Sequence, residues 1–380
     1  MVKGKGCDNL ETLIVIGVLF ILTWLFLYFR YFKEGKEENV RAGSTAYFVA
    51  SWGDDNNNGF ITSPWKTLQH AVNQLQPGEK LLIRAGVYKE NVSLKKSGTG
   101  ENPIIIDVFQ GEEAVLDGGG AGWKYGFNFE HGVSFVTLSG LKVKNFEGYG
   151  VALWGENQSI QLKNLEAQGC GTGLYIFSGV DLLIEGCHFH NNCGPGLAVS
   201  PGPLNKAVII HTRSSYNEGP GRPDGFILDS GEDIVIEKCI AENNAGSGLS
   251  CLTINTTVSA SFIRDNGFYG IKCPGGGYKL INCIIDSNGM AGIFLQGGQC
   301  ELFNNLTVFC GHKGDYGLVA ASGSDSSPAR ISLVTIYLHI ITAVFILTVP
   351  YCWKRRITIF TGAARTPKFP RVTAGIPGMK

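Results

Sequence analysis

The chain has no excess of charge, no clustered aspartates and, past residue 330, no acid at all. Its 32 Lys and Arg balance 32 Asp and Glu over 380 residues, but residues 331–380 hold seven Lys or Arg and no Asp or Glu. Residues 1–330 therefore carry 25 basic and 32 acidic side chains, a balance near −7 that makes a poor nucleic-acid surface. The one Asp-Asp pair, Asp54-Asp55, sits in an N-terminal loop sequence, and Asp224 and Asp229 stand as isolated acids. Hydrolysis by a carboxylate pair is thus weakly supported. The 11 cysteines are odd in number. Cys187, His188, His190 and Cys193 lack a second ligand pair at zinc-site spacing. Cys187, Cys239 and Cys283, in IEGC, IEKC and LINC, read instead as small stacked hydrophobes.

Glycine, by contrast, is abundant, and nine of the 52 keep a register. Gly126, Gly150, Gly173, Gly196, Gly225, Gly248, Gly270, Gly292 and Gly317 are spaced by 24, 23, 23, 29, 23, 22, 22 and 25 residues. Apolar residues stand one and three places after them, as in Val151 and Leu153 or Leu174 and Ile176. Two apolar positions flanking one outward residue make a short strand with one buried face. A period near 23 predicts a stacked β-solenoid, since a single coil cannot bury its own face. Evenly spaced sandwich strands would not hold one glycine in register. Asn145, Asn191, Asn192, Asn243, Asn244, Asn266 and Asn288 lie four or five residues before these glycines, where a left-handed turn would recur.

Two uncharged runs flank the repeats. Residues 12–29 are followed by Arg30 and Lys33, and the run has no small-residue cleavage site after it. It predicts an uncleaved membrane anchor over 12–32, with a tail at 1–11 and a linker at 33–45. Ile331 to Trp353 ends at Lys354, Arg355 and Arg356. It is β-branched and strand-like in composition, but has no Gly, Asn or Asp before Pro350 to turn on. A second membrane span over 331–353, with a basic tail at 354–380, is the expectation. A change of reading frame near residue 330 also explains why the repeats and the acids end together. Flanking charge leaves the orientation open. Sequons at Asn91, Asn157, Asn255 and Asn305 suit an exterior location.

The segment YFVASWGDDNNNGFITSPWKTLQHAVNQLQPGEKLLIRAGVYKENVSL, with SGTGENPIIIDVFQGEEAVLDG after it, resembles the N-terminal portion of right-handed parallel β-helix proteins of the pectate-lyase kind. The resemblance implies that Trp65 to Leu75 is a capping helix, bounded by Pro64 and Pro77-Gly78. YNEGPGRPDGFILDSGEDIVIEKCIAENNAGSGLSC and NGFYGIKCPGGG are similar to the catalytic coils of family-nine polysaccharide lyases. The expected fold is all-β: a right-handed parallel β-helix over 46–323, with an N-terminal capping helix and one or two transmembrane helices.

Residues two and four places after each register glycine point outward and stack at about 4.8 Å. Trp154, Tyr175 and Phe177 on this face would suit the faces of sugar rings. They would equally suit packing beneath a loop. The insertion EGPGRP precedes Asp224, which matches a calcium ligand of the family, with Asp229 as a further candidate. The family's acidic cluster is replaced by Gly246, Ser247 and Ser250, so a Ca2+ site would be weak, with Glu242 as another oxygen source. Lys272, in GIKCPGG, matches the base of a β-elimination, and Arg222 or Arg264 would neutralise the uronate in place of calcium. A lone strand lysine is otherwise a solvated one. The sequence therefore predicts a monomeric, membrane-anchored, extracytoplasmic protein engaging an acidic polysaccharide. It is either a pectate-lyase-like enzyme or a non-catalytic carbohydrate-binding or structural surface protein that lost the calcium site.

Overall fold

The computed structural model describes residues 46–296, 299–308, 310, 316–321 and 330–339. The chain winds as a right-handed solenoid in which successive coils add strands to a ten-stranded and a 22-stranded sheet, with the strands paired parallel throughout. In the ten-stranded sheet one column of apolar residues runs in unbroken register from Val92 through Phe127, Val151, Leu174 and Leu197 to Phe226. It continues through Leu249, Ile271 and Ile293 to Leu318. All of these side chains are buried, so the apolar positions expected after each register glycine do face the core.

The glycine register has a cause beyond turn formation. A Cβ on Gly126 would lie 2.3 Å from the carbonyl oxygen of Gly150, and one on Gly173 2.5 Å from that of Gly196. The same holds for Gly225 against Gly248 at 2.6 Å and Gly270 against Gly292 at 2.5 Å. Each register glycine therefore touches the backbone of the next, and a side chain there would force adjacent coils apart.

The corners divide two tasks between neighbouring residues. Asn145, Asn191 and Asn243 take positive φ, as do Asp265 and Ser287 at the matching place in later coils. The next asparagine along turns inward and is buried. Asn192 donates to Asn217 Oδ1 (3.0 Å), Asn217 to Asn244 (2.8 Å), Asn244 to Asn266 (2.9 Å) and Asn266 to Asn288 (3.0 Å). Each of these also donates to a main-chain carbonyl, as Asn244 does to Ser214. The expectation of left-handed asparagines thus holds for Asn145, Asn191 and Asn243. Asn192, Asn244, Asn266 and Asn288 instead belong to this ladder, which joins coils through the core.

The capping helix is shorter than expected, Leu68–Gln74, because Thr67 caps it by accepting from His70 N. Glu90 accepts the Leu68 and Gln69 amides, while Trp65 stays outside the helix and donates its indole N–H to Asn57. Leu68, Ala71 and Val72 seal the first coil. The nine described cysteines are unpaired and all but Cys193 are buried. Burial pushes the Cys187 and Cys239 thiols up to about 12, as befits packing groups. Of the sequons, Asn91 and Asn255 are exposed, but Asn157 and Asn305 are fully buried and donate to main-chain carbonyls, so neither is open to a glycan.

The membrane helices require correction. Among the described residues no helix is long and apolar enough to cross a membrane, and Leu68–Gln74 is the one α-helix. The first expected span, 12–32, lies outside the described residues. Of the second, 331–353, residues 340–353 also lie outside the described residues, and Arg330–His339 is a strand paired parallel to Gln299–Val308. Its β-branched residues suit a sheet, and no corner is needed until the strand ends.

Asn244→Ala would strand the Asn217 donors, the Ser214 carbonyl and the Asn266 acceptor in the core. The expected loss is about 1–3 kcal/mol of unfolding free energy, read by denaturant titration. A loss below about 0.5 kcal/mol would mean the ladder contributes little.

Candidate active site

The outward side of the ten-stranded sheet carries a second column. It runs Ala152, Tyr175, Ala198, Ile227, Ser250, Lys272 and Phe294 in strict register. Lys272 sits on Tyr269–Pro274, half-buried, and among the described residues it has no hydrogen-bond or ion-pair partner. Its flank is aromatic, since Phe294 follows it in the column and packs on Tyr269 with centroids 4.8 Å apart.

At the other end two of the three expected aromatics, Trp154 and Tyr175, gather with two further tyrosines. Tyr125 and Tyr149 stand just before their register glycines and align across the sheet. Tyr149 stacks on Tyr125 at 5.5 Å and on Tyr175 at 4.1 Å, the latter pair within 6° of parallel. Trp154 lies across the stack, 5.0 Å from Tyr125 and 5.9 Å from Tyr175, and donates to Asn128 Oδ1. Burial and the neighbouring phenols push Tyr149 and Tyr175 up. Phe177 stays apart and more exposed. The sequence carried the signal for the missed pair: two tyrosines share the spacing of the glycines that follow them.

Beside the Ile227 position, the insertion places Arg222 between Asp229 and Asp224. Its Nη1 is 3.2 Å and 3.3 Å from the two Asp229 oxygens, and its Nη2 is 3.7 Å from Asp224 Oδ2. Asp224 is buried, and its Oδ1 accepts the Ser247 amide at 2.7 Å. These residues do not fit calcium. Calcium takes six to eight oxygens, whereas only two carboxylates converge here and a guanidinium occupies the space between them. Nor is there room for a third: a Cβ on Gly246 would lie 2.2 Å from Asp224 Oδ1. Among the described residues no group of three His, Cys, Asp or Glu is arranged to hold a metal ion.

Arg264 and Glu242 belong elsewhere. Both lie on the outer face of the 22-stranded sheet, where Arg264 Nε donates to Glu242 Oε2 at 2.7 Å and Arg213 pairs with the other oxygen. Neither shares a sheet with Lys272, so Arg264 is not positioned to serve it. On the same face, the His188 ring stacks on His190 at 4.1 Å and meets Ser215 Oγ at 2.9 Å. Burial, with His190 and Arg213 adding, pushes His188 down to about 4.

Parallel coils with a capped N-terminal end, and a polar and aromatic strip on one sheet, define a parallel β-helix protein. Residues 47–282 match the family described as Pel9A-like, right-handed β-helix region, and the chain belongs to that family. Pectate lyase PEL9 of Emericella nidulans is 33% identical over 325 residues, covering 64% of this chain and 78% of that one. Uncharacterized protein YwoF of Bacillus subtilis is 28% identical over 163 residues, or 40% of this chain, which spans 34% of YwoF. The crystal structure of pectate lyase Pel9A shares the fold, with a TM-score of 0.53 and 18% identity over 80% of each chain.

The depressed His188 gives a pH signature. Unfolding restores it to about 6.5, so between pH 6.5 and 4 the unfolded chain binds the extra proton. Its contribution to stability is full above pH 6.5 and is lost as pH falls toward 4. His188→Gln should flatten the pH dependence of unfolding free energy in that window, and an unchanged slope would assign the effect to other groups.

Proposed function

We propose that this protein cleaves an acidic polysaccharide by β-elimination on the outward face of its ten-stranded sheet, with Lys272 as the base. The observation that carries the reading is Lys272 itself, unpaired among the described residues and flanked by Phe294 and Tyr269 on the strip where the stack and Arg222 also lie. Family membership and the likeness to pectate lyase PEL9 support the substrate class.

In this reaction a neutral Lys272 Nζ takes the proton α to a uronate carboxylate. The C–H electrons become the C4–C5 double bond, the C4–O bond breaks, and the departing oxygen takes a proton from water. The developing enolate needs a positive charge nearby. Arg222, between Asp229 and Asp224, supplies it. Such polymers are met outside the cytoplasm, and we propose that location.

A second reading rests on Gly246, Ser247 and Ser250, which bring no carboxylate to the strip. There the protein binds the same polymer without cleaving it.

Incubation with pectate, alginate and glycosaminoglycan, read by the ultraviolet absorbance of unsaturated uronate, separates the two. Lyase activity should fall about 100-fold or more in Lys272→Ala and change less than about twofold with excess chelator, given the unsuitable donor set. Binding without product in a folded preparation selects the second reading, and abolition by chelator would overturn the role given to Arg222.

A further inference from the structure

The outer face of the 22-stranded sheet changes character along the solenoid. In one outward column Lys142, Glu166, His188 and Arg213 give way to Ile240, Phe262, Ile284 and Leu306, each aligned with the next. Ile240, Phe262 and Leu306 are half-buried by their neighbours and Ile284 is 44% exposed, so the stripe meets solvent. The adjoining column holds Glu242, Arg264, Asp286 and Val308 at the same coils. Arg264 lies over the Phe262 ring, 5.1 Å from its centroid, and its Nε donates to Glu242. Asp286 accepts from Ser287 at 3.0 Å and has no ion-pair partner among the described residues. On the corner that borders this face stand Phe268 and Met290, exposed and joined by the Met290 amide donating to the Phe268 carbonyl at 2.8 Å. A run of solvated apolar groups of this extent marks an interaction surface.

We infer that this face is a twofold interface between two copies of the chain, with their solenoids antiparallel. The order of residues within each column is what argues for a second copy. A twofold axis lying along the strands, between the Phe262 and Ile284 coils, turns each column onto itself with its order reversed. Phe262 then packs on Ile284 of the second copy, Ile240 on Leu306, and Phe268 on Met290 in an aromatic–thioether contact. The same operation sets Arg264 opposite Asp286 twice, so the unpaired carboxylate gains a cation. Glu242 falls opposite Val308, but Arg213 and Arg264 already enclose its carboxylate, and no bare charge is buried. An axis along the solenoid would instead set the apolar column on the charged one, Ile284 against Asp286. Four coils of this face present roughly 500 Å² per copy, near the lower limit of a specific interface, which makes the dimer weak and reversible. The dimer stands in place of the expected monomer. It is independent of the proposed reaction, whose strip lies on the other sheet.

Sedimentation equilibrium of the full chain between about 1 and 100 µM tests the interface. The mass should rise from that of one chain toward that of two. Ile284→Glu, and Asp286→Arg, which sets arginine against arginine, should each weaken association about tenfold or more. Val208→Glu, at an exposed apolar position in a different column, should leave association unchanged. Far-ultraviolet dichroism checks that each variant is folded. A single-chain mass at every concentration would overturn the interface and leave the stripe to a different partner. Association that survives Ile284→Glu, or that Val208→Glu weakens equally, would overturn it as well. Loss in Ile284→Glu without loss in Asp286→Arg would overturn the antiparallel register.

Discussion

The structure depends on how closely one turn of backbone lies on the next. At the register glycines, carbonyl oxygens of successive coils stand where a methyl group would otherwise be. That contact sets the pitch at which main-chain hydrogen bonds close between coils, and the asparagine ladder ties the same corners together from within. Neither device involves the outward face. Residues there can vary without unstacking the coils, and this is what lets a strip of unlike side chains be held in one straight column.

The solenoid was legible in the sequence because its period is set by backbone contact, and a glycine cannot be exchanged where there is no room for Cβ. The inward apolar positions followed from the same register. Several features were not legible. Asparagine suits both a left-handed corner and a buried ladder, so Asn191 and Asn192 looked alike, although one bends the chain and the other bonds across coils. Arg264 and Glu242 point outward, but the linear pattern does not say from which sheet, and they pair with each other away from Lys272. In Arg330–His339 hydropathy alone favoured a membrane helix, while the β-branched residues went into a parallel strand.

The strip was partly readable. Trp154, Tyr175, Asp229 and Lys272 fall on or beside the ten-stranded sheet, as their outward positions implied, and Asp224, singled out by the resemblance alone, lies buried beside Arg222. What the sequence did not reveal was how these groups partner one another. Arg222 spans the two acids, and Tyr125 and Tyr149 bring Tyr175 into a stack. Contacts of this kind depend on loop geometry and on side chains from different coils, which a periodic pattern leaves undetermined.

The asparagine ladder bears on how such a chain changes length. The intervals Asn244 to Asn266 and Asn266 to Asn288 are both 22 residues, and each coil presents the same donor below and the same acceptor above. At the two ends the neighbour is a cysteine: the Cys170 amide donates to Asn192, and Asn288 donates to Cys310 sulfur. The corner therefore works like a coupling with matching halves. A copied or excised coil leaves complementary halves at the join, so the protein can lengthen or shorten by whole units while its core chemistry stays the same.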